Sequence, residues 1–154
     1  MSNSIDEKEG AAALGSLGGV LGEAGAAALQ GQREQLGEGL LRAAFALWED
    51  PQVRPRLLGI LQAALNSEAG AAQMREYLTT QIFAHAGKAI GAADMDIYQA
   101  ADLLKVPVIN INAAVAQTWG VVLLRYVVKQ EPIASAPVDE LIALVSPTIQ
   151  RYLN

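Results

Sequence analysis

The sequence predicts an all-α fold, a helical bundle of about six to seven helices, from its composition and its periodicity. Hydrophobic residues make up 52% of the 154 residues and aromatic residues only 5%, and alanine is abundant. Alanine is the strongest helix former because it loses no side-chain entropy in a helix. Apolar residues also recur every three or four positions along most of the chain, and only six prolines interrupt it. Together these observations disfavour an all-β architecture.

The charge and residue usage exclude several functional classes. The chain has 11 Lys and Arg against 16 Asp and Glu, a net charge of −5, which disfavours direct binding to nucleic acid. The absence of cysteine excludes disulfides, thiolate zinc sites and cysteine nucleophiles. The acidic start, MSNSIDEKEG, leads into no leucine-rich apolar run of the secretory type, so we expect a cytoplasmic protein.

The distribution of glycine divides the chain into two predicted segments. Residues 1–31 hold half of the 14 glycines, set among alanines, and are predicted to be a weakly helical or mobile lead. Each glycine inside a helix costs about 1 kcal/mol relative to alanine. Residues 32–154 form the second segment, a helical domain.

The first two helices of that domain are separated by an aspartate and a proline. Residues 32–50 carry apolar side chains on one helical face, among them Leu36, Leu40 and Leu47. The pair Asp50-Pro51 then supplies a cap and a first-turn proline for a second helix, which breaks around Asn66.

A longer helix and a shorter one come next. Ser67 is the expected N-cap of a helix that runs to about Ile90, with Gly91 as its stop. A short helix lies within 94–104, and Pro107 marks the joint that follows it.

The last two predicted helices differ in pattern. Residues 109–128 are apolar almost all round, so every face of this helix should be covered. A membrane span is disfavoured because the run is interrupted by Asn110, Asn112, Gln117 and Arg125. Residues 138–153 show the cleanest single apolar stripe in the chain.

Catalytic and metal-binding patterns are lacking, so we expect a non-enzyme without metal or cofactor. His85 is the single histidine, and its helical neighbours include no carboxylate or second ligand, which predicts a solvated or hydrogen-bonded side chain. No G-x-S-x-G motif accompanies the serines Ser16, Ser67, Ser135 and Ser146.

Several short blocks are more specific than the helical periodicity. They are EQLGE at 34–38, LWEDP at 47–51, RLL at 56–58, LRYV at 124–127, EPIAS at 131–135 and PTIQRYL at 147–153. In this order they resemble the C-terminal half of actinobacterial TetR-family transcriptional regulators, over roughly residues 32–153. The resemblance implies an all-helical domain that dimerises through its last two long helices in a four-helix bundle and holds a small-molecule pocket between the others.

In that family, effector binding changes the spacing of two N-terminal helix-turn-helix heads on DNA. Lys8, Glu9, Gly10 and Leu14 resemble only the tail of such a head. The resemblance therefore implies an effector-binding and dimerisation domain with no DNA-reading head in this chain. We expect a homodimer, a small, mostly apolar effector, and neither nucleic-acid nor membrane binding.

The predicted ligand site combines aromatic and apolar residues with two polar ones. Gln117 and Thr118, beside Trp119, are its polar candidates. The full set is Trp48, Leu61, Met74, Tyr77, Leu78, Phe83, Gln117, Thr118 and Trp119. An apolar cavity with a few polar groups is the usual composition of a ligand pocket. The alternative is that these aromatic residues only fill the core.

A dimer interface is predicted because packing the last two helices as a pair leaves apolar surface uncovered. The predicted set is Val121, Leu124, Arg125, Val128, Leu141, Val145, Ile149 and Tyr152. Arg125 is expected to pair at the interface or internally, with Asp139 or Glu140 as candidate partners.

Two other functions stay open from the sequence. One is a structural helical homodimer, or a subunit that sequesters partners, without a ligand. The other is DNA binding through 94–110, an insertion whose residues 98–106 superficially resemble the start of a helix-turn-helix. Its recognition helix would begin PVIN at 107–110, with no Arg or Lys to meet phosphate or guanine, so a structural insertion is favoured.

Overall fold

A computed structural model describes residues 33–81, 83, 84, 91, 92 and 94–154. In these ranges the chain is helical and contains no strand, so the all-α prediction is confirmed. They hold six α-helices: α1 Leu36–Glu49, α2 Arg54–Asn66, α3 Glu68–Glu76, α4 Ile97–Leu104, α5 Val108–Val122 and α6 Val138–Leu153. The predicted lead at 1–31 and His85 lie outside the described residues. Of the predicted third helix beyond Glu76, the structure describes the π-helical turn Tyr77–Gln81 and residues 83 and 84.

The boundary between α1 and α2 shows one correct prediction and one wrong one. α1 ends at Glu49, as its pattern predicts. α2 begins at Arg54 rather than at Pro51. The Asp50 carboxylate accepts a hydrogen bond from the backbone N–H of Gln52 at 2.8 Å, which closes a turn before the helix.

The predicted N-cap of α3 is confirmed. The Ser67 hydroxyl oxygen accepts a hydrogen bond from the backbone N–H of Gly70 at 2.9 Å. A Cβ atom on Gly70 would overlap the Ala63 carbonyl, so glycine permits the close approach of α2 and α3. At Tyr77 the chain leaves α geometry and forms a π-helical turn, Tyr77–Gln81.

The described residues divide into two compact units. The hairpin unit, between Glu49 and Ile97, contains α2, α3 and the π turn. The bundle unit, the described residues up to Trp48 and from Tyr98 to Asn154, contains α1, α4, α5 and α6. The most deeply buried side chains all belong to the bundle unit, and they are Leu41, Phe45, Val122, Ile149 and Leu153.

Within the bundle unit, the start of α1 is fixed to the end of α6. The Gln150 side chain accepts a hydrogen bond from the Gly37 N–H at 2.8 Å and donates one to the Arg33 carbonyl at 2.9 Å. A Cβ on Gly37 would lie 2.7 Å from the Gln150 backbone nitrogen. The Arg33 guanidinium donates to the carbonyls of Leu104 and Leu153, where a cation complements the negative ends of two helices.

Within the single chain, α5 is covered on one side only. One side of the helix is buried, but the opposite side is exposed along its whole length. The exposed residues recur at helical spacing and are Ile109, Asn112, Ala116, Gly120 and Leu124. Alanine, glycine and isolated apolar residues occupy most of this exposed face, and its cover by a second subunit stays a prediction.

The polar residues in this run do not prevent it from resembling a membrane-spanning helix in length and composition. The helical stretch Val108–Val128 is long and apolar enough to cross a membrane by those two criteria alone, and its mean hydropathy reaches 1.3. A core helix of a soluble protein passes the same test.

Residues 98–110 of the predicted insertion belong to the bundle unit. Ala100, Ala101 and Val106 are buried. The Asn110 side-chain amide donates to the Tyr152 carbonyl at 3.0 Å. Because Val108 opens the first turn of α5, the supposed recognition helix is the beginning of a bundle helix. This placement favours the structural interpretation of the insertion.

Candidate functional site

Four aromatic side chains meet inside the bundle unit, and we call them the aromatic cluster: Phe45, Trp48, Trp119 and Tyr126. Trp48 stacks on Tyr126, with ring centroids 5.9 Å apart and planes inclined by 9°. Trp119 meets Trp48 edge to face at 6.1 Å. Phe45 contacts Tyr126 at 6.3 Å in a similar edge-on geometry. Such arrangements match the charge distribution of aromatic rings, whose faces are negative and whose edges are positive.

Helical spacing explains why these rings converge. Phe45 and Trp48 lie three positions apart on α1 and therefore share one face of that helix. Trp119 and Tyr126 are two turns apart on α5 and on the π-helical segment, Leu123–Val128, that continues it. Two neighbouring helices thus each contribute a pair of rings.

The cluster has a buried side and an accessible side. Phe45 is 2% exposed and Trp48 is 4% exposed, whereas Trp119 and Tyr126 are half-buried. The half-buried rings offer an apolar surface with an aromatic face, a surface that suits a flat or apolar small molecule.

The polar candidates beside Trp119, which are Gln117 and Thr118, are both half-buried. The Thr118 hydroxyl donates to the Ala114 carbonyl at 2.9 Å within its own helix, so its proton is already engaged. Its oxygen can still accept a hydrogen bond.

Arg125 attaches the cluster to the loop that precedes α6. Its guanidinium carbon lies 5.4 Å from the ring centroid of Tyr126 and 5.9 Å from that of Phe45. Nη1 donates hydrogen bonds to the carbonyls of Ile133 at 2.9 Å and Ala136 at 2.6 Å. This arginine therefore fixes the approach to α6 against the rings.

The pairing of Arg125 with Asp139 or Glu140 is not among these contacts. Asp139 instead binds Arg42 at 3.1 Å, and Arg42 also binds Glu38 at 2.9 Å. The hydrogen bonds that Arg42 donates to the carboxylates of Glu38 and then Asp139 raise the pKa of Arg42 above its ordinary value. The internal pairing expected for Arg125 is made with the Ile133 and Ala136 carbonyls, and its pairing with Asp139 or Glu140 stays a prediction.

The predicted ligand residues are divided between the two units. The structure brings Trp48 and Trp119 into contact in the bundle unit, with Gln117 and Thr118 on the same helix as Trp119. Sequence reasoning missed Phe45 and Tyr126, although their spacing from the two tryptophans was the available signal. In the hairpin unit Tyr77 is buried, and the half-buried members are Leu61, Met74, Leu78 and Phe83.

The predicted interface residues occupy two environments. Leu124 is 40% exposed and Val128 is 55% exposed, whereas Arg125 and Tyr152 are half-buried. The remaining members are buried within the chain's own bundle unit: Val121, Leu141, Val145 and Ile149. Their assignment to an interface stays a prediction.

Other large apolar side chains are exposed on the last two helices, which pack against each other. We call these exposed residues together the α5/α6 surface: Ile109 on α5, Leu124, Val127 and Val128 on the π-helical segment that continues α5, and Leu144 on α6. Leu144 is 74% exposed and Ile109 is 69% exposed, values unusual for large apolar side chains on the same pair of helices.

Metal ligands do not assemble in the part of the chain that the structure describes. Over those residues, no group of three or more Asp, Glu, His or Cys side chains could hold an ion.

An all-helical bundle with a helical hairpin as a second unit is the class of fold that the described residues define. The chain belongs to the tetracyclin repressor-like C-terminal domain family, whose model matches residues 34–153. Its structure is similar to that of a TetR-family regulator from Streptomyces coelicolor A3, at 26% identity and a TM-score of 0.56. That match covers 90% of this chain and 84% of the other. No curated protein matches the sequence.

Proposed function

We propose that this chain is the effector-binding and dimerisation domain of a TetR-type regulator and that it senses a small, mostly apolar molecule. Family membership supports the regulator class. The observation that carries the sensing role is the aromatic cluster, in which half-buried Trp119 and Tyr126 are backed by fully buried Trp48. A partly accessible aromatic surface on a fixed support is suited to an apolar ligand.

The contacts of the aromatic cluster connect the proposed ligand site to the start of α6. Tyr126 lies on the π-helical continuation of α5, and Arg125 binds that segment to the loop before α6. A ligand that displaces Tyr126 changes the position of Arg125 and hence the start of α6. A molecule that binds one arrangement more tightly shifts the population towards it.

Dimerisation would use the α5/α6 surface, and its occupant in this proposal is a second copy of the same chain. The surface is apolar, lies on the last two long helices and contains large exposed side chains. An isologous contact would cover it on both protomers at once.

A glutamate placed in this surface tests the dimer. Leu144→Glu should convert the dimer to a monomer in analytical ultracentrifugation, because a charge buried between protomers is strongly unfavourable. Leu65→Glu is the matched control, since Leu65 in the hairpin unit is 77% exposed and Leu144 is 74% exposed. A wild-type monomer at micromolar concentration, or equal effects of the two changes, contradicts this part of the proposal.

Two further expectations complete the proposed function. The domain acts in the cytoplasm and catalyses no reaction, as the regulator family suggests. With a net charge of −5, this chain contributes no DNA reading of its own.

The two tryptophans provide the test of ligand binding. They are the only ones in the sequence, and both belong to the aromatic cluster. Native mass spectrometry of the purified protein should show a co-purified small molecule, and its extraction should shift the tryptophan emission. Trp119→Phe should weaken retention of the molecule, whereas Tyr98→Phe on α4, at an exposed position, should not. Absence of any adduct together with unchanged emission after extraction would favour the structural homodimer.

A further inference from the structure

One short stretch of helix carries residues of both proposed sites. The π-helical segment, Leu123–Val128, continues α5 in the bundle unit. Tyr126 of the aromatic cluster is half-buried on this segment. Leu124, Val127 and Val128 are exposed on the same segment and belong to the α5/α6 surface. The proposed effector site and the proposed dimer surface therefore meet within six consecutive residues.

The side chains of this segment cannot move independently of one another. Backbone hydrogen bonds fix the directions in which the side chains of a helical turn point, so the turn rotates as one body. A movement of Tyr126 away from Trp48 therefore also displaces Leu124, Val127 and Val128. Because a π-helical turn contains more residues than an α-helical turn, a change between the two geometries rotates every later side chain about the helix axis. π-Helical turns inside α-helices are rare and occur frequently at functional sites.

The segment ends in a conformation that is unfavourable for its residue. Lys129 lies in the left-handed region, with φ 57° and ψ 46°, and its backbone N–H donates to the Leu124 carbonyl. The backbone N–H of Gln130 donates to the same carbonyl at 2.9 Å. A residue with a Cβ atom is strained there, because the Cβ lies too close to the following carbonyl oxygen. This strain favours an alternative geometry in which Lys129 leaves the left-handed region.

The core beside the segment is filled and stays in place. Leu41 and Ile149 are completely buried, and Phe45 is 2% exposed. Closely packed interiors do not deform continuously, so a rearrangement is confined to the π-helical segment and the loop that Arg125 binds. The segment is thus an element with two geometries between two sites.

We propose that the π-helical segment couples effector binding to dimerisation: an effector that displaces Tyr126 also displaces the dimer-surface residues of the segment and weakens the dimer. This inference rests on the proposed sensing and dimerisation function and adds how the two are connected. Linkage is reciprocal, so the dimer binds the effector more weakly than the monomer by the same factor. Couplings of this kind are commonly about tenfold.

A neutral apolar dye measures the coupling directly. The probe is N-phenyl-1-naphthylamine, a flat molecule that emits in apolar surroundings and quenches nearby tryptophans. Its dissociation constant is measured with the full chain at concentrations far below and far above the midpoint of dimer dissociation. The dimer should bind the dye about tenfold more weakly than the monomer. In analytical ultracentrifugation, saturating dye should raise the dimer dissociation constant by the same factor.

Two lysines provide matched variants that test the segment itself. Lys129 and Lys105 are both exposed and have φ values of 57° and 58°, but only Lys129 ends the π-helical segment. Glycine adopts this conformation without strain, so Lys129→Gly and Lys105→Gly should both raise the thermal midpoint. Lys129→Gly also favours the present geometry of the segment, and should weaken binding of the dye by the monomer about fivefold. Lys105→Gly should bind the dye like the wild type.

A third variant separates strain from direct contact. Lys129→Ala removes the same charge and most of the side chain but keeps the Cβ atom and its strain. It should therefore bind the dye like the wild type. If Lys129→Ala weakens binding as much as Lys129→Gly, the lysine side chain contacts the dye and the coupling through backbone geometry is overturned.

The outcomes separate this inference from the function on which it rests. Equal dye affinities of monomer and dimer, or a Lys129→Gly variant that binds the dye like the wild type, overturn the coupling and leave sensing and dimerisation standing. A wild type that stays monomeric, or that binds no dye, contradicts the proposed function itself, and the coupling is overturned with it.

Discussion

The bundle unit and the hairpin unit are packed in different ways. In the bundle unit Leu41 and Ile149 are completely buried, and Phe45 is 2% exposed. In the hairpin unit, α2 buries only Leu57 and α3 buries none of its residues. Most of the other apolar side chains of these two helices are half-buried, and Leu65 is 77% exposed.

This difference in packing indicates different roles for the two units. A helix with few buried apolar contacts opens locally at a lower free energy than a helix in a filled core. The bundle unit is therefore suited to hold a fixed arrangement and a subunit contact. In the proposed function, the hairpin unit, with its loosely packed helices and its π turn, is the part that adapts to a ligand.

Truncating one leucine in each unit should give the largest contrast. Leu41→Ala removes a completely buried side chain and should lower the free energy of unfolding by about 3 kcal/mol. Leu61→Ala removes a half-buried side chain on α2 and should cost only about 1 kcal/mol. Urea denaturation followed by circular dichroism measures both. Equal losses would mean that the two units are equally well packed.

Replacing a glycine by alanine should change the stability in opposite directions in the two units. Gly37→Ala places a Cβ 2.7 Å from the Gln150 backbone nitrogen and 2.8 Å from the Ser146 carbonyl oxygen, and should destabilise the fold by about 2 kcal/mol. Gly59→Ala on α2 meets nothing within 4 Å and should stabilise it by about 0.5 to 1 kcal/mol. If Gly37→Ala is as stable as the wild type, α1 and α6 are not in close contact at this point.

A smaller effect is expected at alkaline pH. The pKa of Tyr77 is higher in the folded chain than its unfolded value of about 10, so its contribution to stability is complete below that pH and is lost as the pH rises above it. Denaturation curves of the wild type and Tyr77→Phe should therefore diverge above about pH 10, with the wild type losing more stability. Parallel curves would show that Tyr77 ionises freely in the folded state.

Periodicity and capping were sufficient to predict most of the helices. The end of α1, the N-cap Ser67 and the single stripe of α6 follow from local sequence, because each depends on neighbouring residues. Other features depend on contacts distant in sequence. Two helical segments end at Lys105 and Lys129, which adopt positive φ values of 58° and 57° where glycine is the usual signal.

The candidate site was only partly predictable for the same reason. Trp48 and Trp119 were both members of the predicted pocket set, but the stacking of Tyr126 on Trp48 depends on a π-helical segment that periodicity does not reveal. The apolar stripe of α6 predicted which of its residues are buried, but it did not predict whether their own chain or a second subunit buries them. In the structure Leu141 and Ile149 are covered by their own chain.

The most direct measurement of the contrast between the two units is amide hydrogen exchange of the free protein, resolved to individual helices. The account predicts that the interior amides of α5 and α6 exchange much more slowly than those of α2 and α3, because the bundle unit has the filled core. Equal protection of the two units, or slower exchange in α2 and α3, would contradict the division into a fixed bundle and an adaptable hairpin.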